Sequence, residues 1–96
     1  MKKVILLGDS MRIGYEPFVR EALQGEADVW APPENGRDTA YTLVGLGGWM
    51  KAAGGADADV VHFNCGHWDA AHWAGDPESL MPPDAYGRML ERITLA

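Results

Sequence analysis

The stretch Val4-Ile5-Leu6-Leu7-Gly8-Asp9-Ser10 decides the fold of this 96-residue chain. Its four consecutive apolar residues are typical of a short strand that is buried on both faces, and Gly8-Asp9 ends that strand abruptly. Ser10 is therefore expected at the carboxyl end of the strand. Ligands and catalytic groups collect at such strand ends in open parallel α/β sheets, so the Ser10 hydroxyl is a candidate nucleophile.

The composition favours a single globular domain over residues 1–96. Apolar residues make up 47% of the chain, and the net charge of -6 with only eight scattered Lys and Arg argues against a nucleic-acid partner. The apolar run after Met1 is interrupted by Gly8-Asp9 too early for a signal peptide or a membrane span. The single Cys65 excludes an internal disulfide. We therefore expect a cytosolic protein without a membrane partner.

Helical and strand patterns alternate after Ser10. Apolar residues at helical spacing predict a first helix over Met11–Leu23, with Pro17 in its first turn. A second strand over Ala27–Trp30 completes a βαβ unit, whose crossover is right-handed almost without exception.

The same alternation continues through the middle of the chain. Asp38 or Thr39 is the expected N-cap of a second helix, which Gly54-Gly55 ends. Asp59–Phe63 predicts a third strand that is too apolar to have a solvent face.

Asn64–Asp76 is rich in Trp, His, Gly and Asp, which predicts a long functional loop. Pro82-Pro83-Asp84 opens a last helix, and Ala96 falls inside that helix without a stop signal. Three strands alternating with three helices imply a parallel sheet covered on both faces, with the spatial order two, one, three. That order places Ser10 opposite the loop that begins at Asn64, across the switch point of the sheet.

Three blocks of this sequence resemble the SGNH, or GDSL-type, hydrolases. Gly8-Asp9-Ser10 resembles the opening block, Gly36 the second block, and Asn64-Cys65-Gly66-His67-Trp68-Asp69 the third block of a branch that reads Asn-x-Gly-x-Trp-Asp. The resemblance covers nearly the whole chain. It implies the N-terminal half of a three-layer α/β/α flavodoxin-like fold with strand order 2-1-3. It also implies a serine esterase without a cofactor, with an acylated carbohydrate as a candidate substrate.

The resemblance implies a role for individual residues. Ser10 corresponds to the nucleophile, and the backbone N–H of Gly36 to a donor that binds the oxyanion. Trp68 stands where the family ordinarily has its oxyanion-binding Asn, so either Trp68 or Asn64 is the second donor. The further candidates for substrate contact are Asp9, Arg37, His67, Trp68 and Asp69.

Several of these candidates have a structural interpretation as well. Asp69 either orients the loop by accepting backbone N–H bonds or is solvated, and Arg37 with Glu34 either contacts substrate or forms a surface pair. His67 is a candidate substitute base for Ser10. The three histidines recur every five residues, a spacing that favours packed or hydrogen-bonded roles over zinc binding. No metal and no cofactor is therefore expected.

The acid and base of this family form an Asp-x-x-His block near the C-terminus of a longer chain, and that block has no counterpart here. Acyl transfer by a serine needs a base to take its proton. We therefore expect the chain to be inactive alone, as the N-terminal portion of a larger hydrolase completed by a C-terminal fragment. The alternatives are a non-catalytic domain that binds a small molecule, or a homodimer joined through the exposed edge of the third strand.

Overall fold

The computed structural model describes residues 1–54 and 58–95 and has a mixed α/β architecture. Its strands are β1 (Lys2–Gly8), β2 (Ala27–Trp30) and β3 (Val60–Asn64). They form one parallel sheet in the order β2-β1-β3, which confirms the predicted order. Because all three strands run the same way, their carboxyl ends meet at one edge of the sheet.

Four α-helices lie in the described ranges: α1 (Ser10–Ala22), α2 (Thr39–Ala52), α3 (His67–Ala70) and α4 (Pro83–Leu95). Of the two candidate N-caps of α2, Asp38 is the one that caps the helix, because its side chain accepts the N–H of Tyr41 at 3.0 Å. Gly54 follows α2 with a positive φ of 69°. Gly55 and Ala96, which entered the predictions for the helix ends, lie outside the described residues.

Two predictions about helices are wrong. Pro17 lies inside α1 and not in its first turn, since it is the eighth residue of a helix that begins at Ser10. The segment Asn64–Asp76 is not only loop, since it contains α3 and a short 3-10 turn over Trp73–Gly75.

One face of the sheet packs on α2. Ile5 and Leu7 are fully buried and cluster with Trp49 of that helix and with its C-cap Ala53, and Phe63 packs against the same cluster. The register places Phe63 opposite Leu7, so both side chains point to this face.

The other face carries α1. Leu6 is paired with His62 in the register, and the His62 ring meets the ring of Tyr15 edge-on, with centroids 6.1 Å apart. Since side chains alternate along a strand, α1 and α2 lie on opposite faces of the sheet. None of the helices in the described part of the chain is long and apolar enough to cross a bilayer.

The two outer edges of the sheet differ. At β2, Arg20 Nη1 donates to the carbonyl of Val29 at 2.6 Å. At β3, Val60 and Val61 are 50% and 43% exposed, and within residues 1–54 and 58–95 no group hydrogen-bonds to the outer side of the strand. The prediction that the third strand is buried on both faces is therefore wrong.

Candidate active site

Ser10 occupies the first position of α1, directly after β1, and its side chain is exposed. The buried Asp9 is the N-cap of this helix and accepts the N–H of Met11 at 3.0 Å. The first N–H groups of a helix have no partner inside it and carry a partial positive charge. Ser10 therefore combines an exposed hydroxyl with the partial positive charge of a helix start, beside the Asp9 side chain that caps it.

Asn64 is fixed beside this helix start. It ends β3 at the level of Gly8, and its Nδ2 donates to Asp9 Oδ1 at 3.0 Å. Its Oδ1 accepts the hydroxyl of Tyr15 at 2.7 Å. Burial raises the pKa of Tyr15 despite the nearby Arg12 charge, so this hydroxyl remains a donor. An amide nitrogen has two hydrogens, and the described part of the chain uses one of them.

Gly36 holds the loop after β2 against the end of β1. Its N–H donates to the carbonyl of Gly8 at 2.8 Å, and a Cβ on Gly36 would lie only 2.7 Å from that oxygen. The N–H that the resemblance assigns to the oxyanion is thus engaged within the fold. Only a glycine permits this approach of the two backbones.

Arg12 is a charged side chain inside the fold, with 2% exposure. It donates to the carbonyls of Gly8 at 3.3 Å and Pro32 at 3.2 Å, to the carbonyl of Glu34, and to Glu16 Oε1 at 2.8 Å. Backbone groups from β1 and from the β2–α2 loop therefore share one cation, which fixes the loop at the strand ends.

The same loop carries a second polar group on its surface. The Glu34 carboxylate accepts the Tyr41 hydroxyl at 2.5 Å and Trp49 Nε1 at 3.0 Å, and these bonds hold the pKa of Glu34 below its usual value. Asn35 Oδ1 accepts the N–H of Arg37 at 2.7 Å, and Arg37 has a positive φ of 54°. Its guanidinium lies 4.6 Å from the centre of the Tyr41 ring.

The third block is tied to α2. Asp69 is 1% exposed and accepts both the N–H of Thr39, at 3.1 Å, and its hydroxyl, at 2.5 Å. Trp68 packs on Trp73 with ring centroids 4.8 Å apart, and Trp73 Nε1 donates to the Trp68 carbonyl. Of the two alternative oxyanion donors, Asn64 is the one bonded to Asp9 next to Ser10.

The histidines of the described residues do not provide a base that is bonded to Ser10. His67 is exposed at the start of α3, and in the described part of the chain no histidine hydrogen-bonds to Ser10. A literal Asp-x-x-His spacing does occur twice, ending at His62 and at His72. His62 lies against Tyr15, and His72 Nδ1 contacts a loop carbonyl at 3.1 Å. Residues 1–54 and 58–95 hold no group of three His, Cys, Asp or Glu arranged to bind a metal.

A cavity of about 420 Å³ lies between α3 and the start of α4. Met81, Pro83 and Tyr86 are among its mainly apolar lining residues, with His72 as a polar member. The Tyr86 hydroxyl donates to the carbonyl of Cys65. Burial raises the pKa of the Cys65 thiol, which keeps it protonated and a poor nucleophile.

The sequence did not reveal the contacts of three residues that organise the site. Arg12 had one signal, its i, i+4 spacing to Glu16, which favours an ion pair but does not predict burial. Tyr15 and Thr39 had no local signal, because their partners lie 49 and 30 residues away in the chain.

Comparison with protein-family models, with curated proteins and with solved structures finds no match to this chain. The function must therefore be inferred from the chemistry of the site and from the sequence blocks.

Proposed function

We propose that this chain carries the nucleophile and the oxyanion-binding part of a serine ester hydrolase of the SGNH type, in a flavodoxin-like three-layer fold. The main support is the amide of Asn64, which Asp9 and Tyr15 hold beside the helix start at Ser10. The three sequence blocks and the parallel order β2-β1-β3 agree with the same assignment. We also propose that the protein is cytosolic, as expected from its sequence.

The proposed reaction begins with attack of Ser10 Oγ on the ester carbonyl, which forms an O–C bond and places an electron pair on the carbonyl oxygen. The free Nδ2 hydrogen of Asn64 and the N–H of Ser10 donate to that oxyanion. Collapse breaks the ester C–O bond, and the alcohol leaves with the proton that the base took from Ser10. Water then hydrolyses the acyl-serine.

The general base is the component that residues 1–54 and 58–95 do not supply. A C-terminal fragment of the same protein, or a second chain that pairs with β3, would arrive next to Asn64, because Asn64 ends that strand. The isolated chain is therefore expected to show little turnover. Its nucleophile and its oxyanion donor are testable separately from the base.

The test is labelling of Ser10 by a fluorophosphonate in the presence of imidazole, followed by intact mass. Ser10 Oγ forms a bond to phosphorus, fluoride leaves, and imidazole accepts the proton. The chain has two serines, Ser10 and Ser79, so Ser79→Ala is a matched control. We expect imidazole to accelerate labelling of the wild type and of Ser79→Ala, and Ser10→Ala to remain unlabelled. Asn64→Ala should slow labelling by about a hundredfold.

Two results would overturn the hydrolase proposal: no acceleration by imidazole at Ser10, or an unchanged rate in Asn64→Ala. Binding of a small molecule without catalysis is then the better account. The cavity beside Met81, Pro83 and Tyr86 supports that second candidate, since partly apolar concave sites are typical of small-molecule binding.

A further inference from the structure

Arg37 belongs to the loop whose backbone is bonded to the end of β1. Gly36 is bonded to Gly8, which lies two residues before Ser10, and Arg37 directly follows Gly36. The exposed Arg37 side chain is therefore attached to the edge of the sheet where β1 ends. This placement does not depend on whether Ser10 is reactive.

The backbone at Arg37 has an unusual conformation. Its φ of 54° lies in the left-handed region, which a residue with a large side chain rarely adopts. The bond from its N–H to Asn35 Oδ1 maintains this conformation, and the Tyr41 ring lies 4.6 Å from the guanidinium carbon. Stacking on an aromatic ring restricts the side chain, which reduces the entropy lost when a ligand binds.

The guanidinium donors of Arg37 are not used by the described part of the chain. The ion pairs found there are Arg12 with Glu16 and Arg20 with Glu16. The neighbouring Glu34 is bonded instead by the hydroxyl of Tyr41 and by an indole N–H. Arg12 shows the contrast, since it is buried and donates to four protein oxygens.

We propose that Arg37 binds a carboxylate of the ligand, and that substrates of the Ser10 site are esters with a negatively charged group on the part that lies against Arg37. The assignment of ester substrates rests on the proposed function, whereas the anion site does not. A planar guanidinium donates two parallel hydrogen bonds to a carboxylate. In a chain with a net charge of -6, such a local cation is needed to hold an anion.

Carboxylates near Arg37 favour a ligand that carries a single negative charge. Glu34 is close enough for the Arg37 charge to contribute to lowering its pKa, after the bonds from Tyr41 and Trp49. Asp38 lies next to Arg37 in sequence and caps α2. Both carboxylates repel a dianion more than a monoanion, so a carboxylate is expected to bind more tightly than a phosphate ester.

The test is an NMR titration of the ¹⁵N-labelled chain with monomethyl succinate and with dimethyl succinate, a neutral ester of the same shape. We expect saturable shifts at the amides of Gly36 and Arg37 with the charged ester only, and weaker binding of methyl phosphate. Arg37→Gln should raise the dissociation constant by at least about tenfold, because a charge-assisted bond is lost. Arg37→Lys should fall between the two, and Arg88→Gln, at an exposed arginine of α4, should match the wild type.

Equal shifts from the charged and the neutral ester, or unchanged binding in Arg37→Gln, would overturn the anion site. The titration does not require the Ser10 hydroxyl, so Ser10→Ala should bind the charged ester like the wild type. A chain that binds it but is not labelled at Ser10 disproves the hydrolase proposal alone. A chain that is labelled but shows no preference for the charged ester disproves the anion site alone.

Discussion

Two buried charges, Arg12 and Asp69, hold the candidate site together in different ways. Arg12 donates to carbonyls at two separate places in the chain, the end of β1 and the loop after β2, and also to Glu16. In the described part of the chain, the carboxylate of Asp69 accepts hydrogen bonds from one residue, Thr39, at the start of α2. The Arg12 side chain therefore connects several segments, whereas the Asp69 side chain connects α3 to the start of α2.

This difference predicts unequal consequences of mutation. Removing Arg12 takes the donor from the carbonyls of Pro32 and Glu34 and from the Glu16 carboxylate, whereas the Gly8 carbonyl keeps the N–H of Gly36. A buried polar group without a partner costs more than the net contribution of an average hydrogen bond. Removing the Asp69 side chain leaves one N–H and one hydroxyl, both of Thr39, without this acceptor. Both sites should therefore be sensitive, with Arg12 the more sensitive of the two.

The largest expected effect is that of Arg12→Met, which preserves much of the side-chain volume. We expect a loss of about 3–5 kcal/mol in the free energy of unfolding, because the removed cation held several buried oxygens. Urea denaturation measures this loss. Arg20→Met is the matched control on the same helix, and its half-exposed side chain predicts a loss below about 1 kcal/mol. Equal losses in the two variants would show that burial of Arg12 is not decisive.

Asp69→Ala should cost less, about 2–3 kcal/mol, since fewer buried groups lose their partner. Asp69→Asn keeps one acceptor oxygen and should retain part of that stability. The same urea experiment checks both. A larger loss in Asp69→Ala than in Arg12→Met would contradict the expectation that Arg12 is the more sensitive of the two sites.

Thr39→Val tests the hydrogen bond between Thr39 and Asp69 by removing its donor. The hydroxyl bond to Asp69 is lost while the shape is kept, so we expect a loss of about 1 kcal/mol. Thr39→Val combined with Asp69→Ala should cost less than the sum of the single losses, because both remove the same bond. Strictly additive losses would mean that the bond between Thr39 and Asp69 contributes nothing to stability.

The smallest expected effect is a pH dependence at Glu16, beside Arg12. Burial alone would raise the pKa of Glu16, but hydrogen bonds from Arg12 and Arg20, with their charges, outweigh it and hold the pKa below its usual value. A lowered pKa in the folded state means that this stability is present above the unfolded pKa and is lost as the pH falls through the folded pKa. Glu16→Gln should therefore lose less stability than the wild type between about pH 7 and about pH 3. An identical pH dependence would argue against this contribution.

Features with short-range causes were predictable from the sequence. The second strand matches its predicted bounds at Ala27–Trp30, and Asp38 caps α2, because turn residues and side-chain caps act within a few residues. The order of the sheet followed from the alternation of strands and helices.

The interior of the site was less predictable. The helical pattern over Met11–Leu23 did not show which side chains are buried, since the apolar Phe18 is 72% exposed and the charged Arg12 is buried. Whether a charged side chain is buried depends on acceptors that other segments bring to it, and periodicity does not show them. Likewise, the topology placed Ser10 opposite Asn64, but the bond that engages the Gly36 N–H depends on the close approach of two loops.

The contrast between the two sheet edges limits how molecules of this chain can assemble. Arg20 covers the carbonyl of Val29 at the outer side of β2, whereas the outer side of β3 is open in the described part of the chain. Unpaired N–H and C=O groups along the edge of a sheet are available to another strand. A further strand that joined this sheet would therefore extend it from β3, on the side away from β2.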